Sequence, residues 1–397
     1  MFYSTKLLEN FIPTKQKGRK SPKLGKNYPN YAKFSDSLIH FFALSLHRKK
    51  TRNLVAQMLP TSSIRKLTDY ILLNACSVNS SGLYNGKAGM ALALFEVGNY
   101  LQDEYIYDQA FSLFGEASVT KNEDVGFENG LAGVGFMLLY LIESGFVDAD
   151  FEELFGENRV KIETGLTATD NIQTNEQLAL YIRVVYYLCM ANKKVTGVKT
   201  KLLAKSILKE ADKMMVNRLL TLEAGTTSVA HSKVDILNSL ELYLKVADFC
   251  SFYQPSVELL EKYVTLYRQS KFVSNFAIGC YLANIAERTG NTRVEAVGIE
   301  NRTNAIRTIY REMLPLAQRI DLLWLLHQNE SLYKSEIAYL EENFIDIANE
   351  DKLEKILLQS IHPADFIAGY QSGVARFLLY WVYRNTDKEH RQCFHFL

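Results

Sequence analysis

The stretch that decides the fold runs from Asn85 to Leu101 and reads NGKAGMALALFEVGNYL. The same unit recurs as NGLAGVGFMLLYLIESG from Asn129 to Gly145, and as AGYQSGVARFLLYWVYR from Ala368 to Arg384. Each copy has small residues followed by an almost wholly apolar segment, which predicts a helix buried on most of its sides. Small residues at such a start let neighbouring backbones approach closely and leave N–H groups pointing towards a cavity.

Four further apolar segments predict helices of the same kind, and they begin near Glu176, His231, Asn275 and Leu314. The step from Gly89 to Gly373 is 284 residues, or six repeats of about 47 residues each. More amphipathic segments lie between the apolar ones, which indicates two helices per repeat. Seven such hairpins predict an all-α fold, an α/α toroid, because only a closed ring covers apolar inner helices with a full outer layer. We expect the glycine loops to gather at one mouth of this ring.

The domain organisation follows from the distribution of charge. Residues 1–34 hold eight Lys or Arg and one acid, Glu9, which predicts a basic, flexible N-terminal arm. Such an arm is either a solvated tail or a docking segment for an acidic partner or a membrane surface. Residues 35–397 are predicted to form a single toroid domain.

Composition excludes several classes of protein. Hydrophobic residues make up 48% and charged residues 22%, so the chain can bury a core and is not disordered throughout. The formal net charge of +1 argues against a globally basic nucleic-acid binder. We expect no transmembrane helix and no signal peptide, because no apolar run is long enough. Five widely spaced cysteines without a CxxC pair predict reduced thiols and a cytoplasmic protein.

The segments NGKAGMALAL and NGLAGVGFMLLYL resemble the repeat signature of the lanthionine synthetase C-like family, the peptide cyclases of lanthipeptide biosynthesis. The resemblance covers roughly residues 36–390 and implies a seven-repeat α/α barrel that acts on a peptide, with a second modifying enzyme as a possible partner. It also implies a zinc ion held by one Cys and by a neighbouring Cys-His-Gly. That zinc activates a substrate cysteine, whose thiolate adds to a dehydrated residue of the same peptide.

The zinc ligands that the resemblance implies are missing from this sequence. Ser274 stands where the family has its first metal-binding Cys, and no Cys-His-Gly occurs anywhere in the chain. Cys280 and His327 are a substitute pair, but we expect them at opposite ends of their helices, about 20 Å apart. Zinc ligands converge within about 2.3 Å of one ion. The prediction is therefore a protein without a cofactor, with zinc possible only if Cys280 and His327 converge.

Two groups of residues are candidates for function. His231 matches the family's proton-transfer histidine, and Asp235, one helical turn later, is placed to orient it. The pair is equally compatible with a helix cap and a surface ion pair. The second group comprises polar and glycine residues predicted at the mouth, which either contact a peptide or cap helices; they are Asn85, Gly86, Glu128, Asn129, Gly130, Ser274, Asn275 and Gly369.

Three hypotheses about function follow. The first is a zinc-free member of the family that binds or scaffolds a peptide in peptide modification. The second is an active cyclase that forms thioether rings with a substituted site around His231, Asp235 and Ser274. The third is a carbohydrate-active α/α barrel, which needs two carboxylates at the mouth. Glu128 and Asp235 are its candidate acids.

Overall fold

The structure, a computed structural model, describes residues 60–84, 86–119, 123–166, 174–194, 198–224, 233–309, 314–342, 344 and 368–386. The predicted arm over residues 1–34 lies outside these ranges. The described residues contain no strand, which confirms the all-α prediction. They form helices α1 (Thr61–Ala75), α2 (Lys87–Leu101), α3 (Glu104–Val119), α4 (Leu131–Glu143), α5 (Phe151–Gly165), α6 (Asn175–Lys194), α7 (Val198–Glu223), α8 (Lys233–Phe249), α9 (Val257–Arg268), α10 (Phe276–Thr289), α11 (Thr292–Ile306), α12 (Leu316–His327), α13 (Lys334–Glu342) and α14 (Val374–Asn385). Across these ranges, no helix is both long and apolar enough to cross a membrane.

The apolar helices are buried on nearly all sides. Every residue of α4 from Leu131 to Leu141 is buried, and so is every residue of α14 from Val374 to Tyr383. The amphipathic helix α5 differs, because it buries only Phe151, Phe155 and Ile162. A helix without a polar face needs neighbours all around it, whereas an amphipathic helix can lie at the surface. The sequence pattern therefore sorts the helices into an inner and an outer class.

The inner helices pack in a cyclic order. Helix α2 contacts α4, and the contacts continue through α6, α8, α10 and α12 to α14, which contacts α2. Each of α3, α5, α7, α11 and α13 packs on the inner helix that precedes it in the chain. Helix α9 packs on α7 and α11, and α1 packs on α2, α3 and α14. Most inner helices thus form a pair with the outer helix that follows them.

Helices α8 and α10 run parallel, because side-chain contacts join them in the same order along both helices. The Asn275 amide, at the start of α10, donates to Glu241 in the middle of α8 with Nδ2–Oε2 at 2.8 Å. Near the ends, Arg288 forms an ion pair with Asp248. Parallel inner helices bring their N-termini, and the loops that precede them, to the same end of the protein.

Gly279, the fourth residue of α10, brings two helices together. A Cβ atom on Gly279 would lie 2.6 Å from the backbone nitrogen of Arg302 in α11. A Cβ on Gly298 would lie 2.9 Å from the nitrogen of Ala283. The two glycines therefore allow α10 and α11 to cross with their backbones almost in contact.

The prediction that all cysteines are reduced thiols is wrong for one pair. Cys189 in α6 and Cys250, just after α8, form a disulfide with a Cα–Cα distance of 6.0 Å. The two lie 61 residues apart in the sequence, so spacing alone does not reveal the pair. The helix packing brings them together, because α6 and α8 are neighbours in the cyclic order. Cys76 and Cys280 are free thiols.

Candidate functional site

The loops that precede α2, α4 and α14 meet at one end of the inner helices. The Tyr84 backbone N–H donates to the Glu128 carbonyl at 2.9 Å, and the Gln371 N–H donates to the Tyr84 carbonyl at 3.0 Å. Gly369, a predicted mouth residue, is buried in the third of these loops. The structure therefore brings together the three glycine-rich stretches, which are far apart in the sequence.

Glycine is needed at these helix starts because other backbone atoms occupy the place of a side chain. A Cβ on Gly86 would lie 2.5 Å from the nitrogen of Gly82, and a Cβ on Gly130 would lie 2.7 Å from the nitrogen of Gly126. Both glycines are N-caps that use no side-chain cap. Gly86 and Gly130 therefore serve packing. Asn85 lies outside the described residues, and Asn129 Oδ1 lies 3.4 Å from the Ser80 hydroxyl.

Two ion pairs lie beside these loops. Arg183 of α6 pairs with Glu128, and Arg376 of α14 pairs with Asp321 of α12. Each guanidinium also lies over a tyrosine ring, Arg183 at 5.2 Å from the centre of Tyr84 and Arg376 at 5.4 Å from that of Tyr370. The two rings stack with their centres 6.1 Å apart. Aromatic rings and ion pairs thus adjoin one another, with Tyr84, Tyr370 and Arg376 buried beneath a polar surface of Arg183, Glu128 and Asp321.

Helix α8 adds an acid and a base to this surface. Glu241 and Lys245 are four residues apart and share a face of the helix. Burial raises the pKa of Glu241, although the hydrogen bond from Asn275 partly opposes the shift. Burial lowers the pKa of Lys245, and the nearby charges of Asp321 and Glu241 partly oppose it. Both side chains keep some exposure to solvent.

We call these five side chains the interior charge cluster: Arg183, Glu241, Lys245, Asp321 and Arg376. Arg183 and Arg376 both act electrostatically on Lys245, so charges from three different helices lie near one another. None of the five belongs to a sequence motif. Their signal is a charged residue inside an otherwise apolar helix, as in YIRVVYYL, LELYLKVA and VARFLLYW. A charge in such a helix needs a partner or a solvent-filled recess.

Tyrosines of the same region have high pKa values. Burial raises the pKa of Tyr84, while Arg183 and Arg376 partly oppose the shift. Burial also raises the pKa of Tyr186 and of Tyr281 well above the usual range. These phenols stay protonated at neutral pH and can donate or accept a hydrogen bond. They are unsuited to act as phenolate bases.

Ser274 and Asn275, predicted at the mouth, begin α10. The Ser274 hydroxyl hydrogen-bonds the Tyr267 hydroxyl at 2.9 Å. Asn275 caps the helix by accepting from the Ile278 N–H at 2.9 Å, and its amide nitrogen also reaches Glu241. Asn275 is therefore a structural cap that touches the interior charge cluster.

The predicted catalytic pair is only half described. His231 lies outside the described residues, so its distance from Asp235 stays untested. Asp235 lies in the first turn of α8 and is exposed, and its charge acts on Glu176 at the start of α6. Glu128, the other acid of the carbohydrate hypothesis, instead pairs with Arg183.

The residues present do not fit a zinc site. Cys280 faces α11, where Arg302 hydrogen-bonds it, and burial raises the pKa of its thiol to about 11. His327 lies 3.0 Å from the Tyr380 hydroxyl and 3.5 Å from Glu341 of α13. The two side chains have different neighbours, and no group of three metal-binding residues occurs in the described ranges. Ser274 offers a hydroxyl, a poor ligand where zinc favours a thiolate.

Comparison with known proteins adds no family to this picture. No family model matches the sequence, and no curated protein matches it.

Proposed function

We propose that the chain is a zinc-free, peptide-binding member of the lanthionine synthetase C-like family, folded as an α/α toroid of seven helical hairpins. We extend the proposal to a second modifying enzyme as partner and to a cytoplasmic location, which loses the argument from reduced cysteines because Cys189 and Cys250 form a disulfide. The toroid is supported by the cyclic order of the inner helices and by the outer helices that pack on them. The resemblance is supported by the three glycine loops, which lie at one end as the family pattern predicts.

The observation that carries peptide binding is the surface beside those loops. Glu128 with Arg183 and Asp321 with Arg376 present both charges, and stacked Tyr84 and Tyr370 lie next to the two guanidinium groups. A peptide brings N–H donors, carbonyl acceptors and apolar side chains together. The exposed carboxylates can accept hydrogen bonds from the N–H groups, and the partly exposed Arg183 can donate to the carbonyl groups, with the buried tyrosines holding the guanidinium groups in place. Solvent reaches Asp321 and Glu128, whose side chains are 37% and 39% exposed.

Fluorescence anisotropy with a fluorescein-labelled mixture of random 20-residue peptides tests this function. Arg183→Met removes the ion pair with Glu128, and we expect about tenfold weaker binding than in the wild type. Arg159→Met is the matched control, because Arg159 pairs with Glu152 and Glu163 on α5. We expect the control to bind like the wild type. Absent binding, or equal loss in both variants, would contradict the proposal.

Metal analysis of the purified protein tests the zinc-free part separately. We expect far less than one zinc per chain after dialysis against a weak chelator, because the donor atoms do not form a convergent set. One tightly held zinc per chain would overturn this part and would favour the active cyclase.

A carbohydrate-active enzyme is the second candidate, and the acids Glu241 and Asp321 favour it. Burial raises the pKa of Glu241, whereas Asp321 is paired with Arg376. Glycoside hydrolysis uses two carboxyl groups in different environments, and a raised pKa suits the one that acts as the acid. Nitrophenyl glycosides of several sugars are the probe. The candidate would be supported if the wild type hydrolyses one of these glycosides and both Glu241→Gln and Asp321→Asn abolish that activity. It would be rejected if the wild type hydrolyses none of them.

A further inference from the structure

We propose that Lys245 binds a carboxylate group of the peptide ligand and so fixes the ligand within the interior charge cluster. The inference rests on the proposed peptide-binding function and names the chemical group that this site recognises. A C-terminal carboxylate and an acidic side chain share that chemistry, and the experiment below separates them.

Lys245 is the cation of the cluster that makes no direct contact with an acid. Arg183 is paired with Glu128, and Arg376 is paired with Asp321. Glu241 accepts a hydrogen bond from Asn275. In the part of the chain that the structure describes, Lys245 makes no hydrogen bond and no ion pair, although Glu241 lies one turn away on the same helix.

The location of Lys245 leaves room for a ligand group. The residue belongs to the inner helix α8, which packs between α6 and α10 and against α7. The residue is nevertheless only partly buried, so this position is not sealed from solvent. An ammonium group that protein surrounds gains most when an anion replaces water, because the low local dielectric strengthens the attraction.

A carboxylate suits this position better than a phosphate. One unpaired cation balances one negative charge, and both arginines are already neutralised by acids. A dianionic phosphate would have to break one of those ion pairs. Burial raises the pKa of Glu241, so this neighbour carries its negative charge less readily than an exposed carboxylate and opposes a bound carboxylate less.

Matched peptides test the proposal by competition in the anisotropy assay. Two pairs of peptides share one sequence. The first pair differs in having a C-terminal carboxylate or a C-terminal amide, and the second pair differs in having Asp or Asn at one internal position. The wild type is expected to prefer the carboxylate form of at least one pair about tenfold, and the preferred pair identifies the source. Lys245→Gln is expected to lose the preference and Lys245→Arg to keep it. Lys213→Gln, at an exposed lysine on α7, is the control. A preference that survives in Lys245→Gln, or none in the wild type, overturns the inference.

Chemical labelling of Lys245 keeps this inference separate from the proposed function. Reductive methylation followed by mass spectrometry measures the reactivity of each lysine, with acetate or inorganic phosphate as the probe. We expect acetate to slow labelling of Lys245 severalfold and to leave Lys213 unchanged, with phosphate less effective. If no peptide binds, the proposed function fails, whereas shielding by acetate would still support a carboxylate site. No shielding by acetate would overturn it, and stronger shielding by phosphate would reject the choice of carboxylate.

Discussion

Helices α2 and α10 are both inner helices, but they begin in opposite ways. Helix α2 begins at Gly86, with backbone atoms of Gly82 packed where a side chain would be. Helix α10 begins at Asn275, whose side chain caps the helix and reaches Glu241. In the first region backbones touch one another directly. In the second, side chains fill the same space and bring polar groups towards the interior.

Helix α14 combines the two arrangements. Its N-cap, Gly373, has the extended backbone of Gly86 and Gly130 and likewise uses no side-chain cap. The third helical residue, however, is Arg376, where α2 and α4 have Gly89 and Gly133. The comparison teaches that a glycine in this unit serves close packing, and that losing it makes room for a functional side chain.

The largest effect is expected from Gly89→Ala. A Cβ on Gly89 would overlap the carbonyl oxygen of Leu83 and lie 2.6 Å from Cβ of Tyr370. Since the obstacles are backbone and a buried ring, the loops must move apart. We expect a loss of about 3 kcal/mol in the free energy of unfolding, measured by urea denaturation.

Gly156→Ala is the matched control for that change. Gly156 lies in the outer helix α5, where a new Cβ would approach only the flexible carboxylate of Glu152, at 3.3 Å. Alanine has the higher helix propensity, so we expect no loss and a gain of up to about 1 kcal/mol. Similar losses in the two variants would mean that close backbone packing does not distinguish the glycine loops.

Arg376→Met tests the helix in which the two arrangements meet. The guanidinium is only 2% exposed and binds Asp321, so its removal leaves that acid without its partner. Because Asp321 retains solvent contact, we expect a loss of about 2 kcal/mol in the free energy of unfolding. This is below the usual cost of breaking a fully buried ion pair. Arg159→Met on α5 is expected to cost less than about 1 kcal/mol. Equal losses of stability in Arg376→Met and Arg159→Met, measured by urea denaturation, would indicate that Arg376 and Asp321 form an ordinary surface ion pair.

The glycine region was largely predictable from the sequence. Three copies of one unit, ending in apolar helices, indicated buried helices with starts at a common end, and the backbone bonds between Tyr84, Glu128 and Gln371 join those starts. Gly279 likewise lies in the first turn of its helix, but it packs against α11, whereas Gly89 and Gly133 pack against loops. A glycine permits close approach, and the sequence alone does not say which neighbour approaches.

The polar region was not predictable by motif matching. Asn275 and Ser274 were located at the start of α10 from the repeat phase, but their partners Glu241 and Tyr267 come from other helices. Contacts between distant segments depend on how each helix is rotated about its axis. The disulfide between Cys189 and Cys250 has the same origin. Charges inside apolar helices remain the one signal that could have identified the interior charge cluster.

The partly buried carboxylates Glu341 and Glu241 have pKa values shifted in opposite directions. Of the two glutamine variants, we expect Glu341→Gln to lose more stability. Burial alone raises the pKa of Glu341, but hydrogen bonds from His327, Tyr380 and Arg384 outweigh it, so the pKa is lowered. The ionised form therefore stabilises the fold above the unfolded pKa of about 4.3, and this is lost as pH falls through the folded pKa. We expect a loss of about 1.5 kcal/mol at pH 7. Urea titrations should show that the difference in free energy of unfolding between Glu341→Gln and the wild type becomes smaller as the pH is lowered. Glu342→Gln is the control.

Glu241→Gln is expected to have the smallest effect and the opposite sign. Burial raises the pKa of Glu241 in the folded protein. Its contribution is therefore fully present below the unfolded pKa of about 4.3 and is lost as pH rises through the folded pKa. Glutamine keeps an oxygen for the Asn275 amide and never ionises, so it avoids that loss. We expect a gain of about 0.5 kcal/mol in slightly alkaline buffer and a smaller gain at acidic pH, by urea titration. A loss that grows with pH would show that ionised Glu241 is stabilised, and would place it with Glu341 as a structural ion-pair partner.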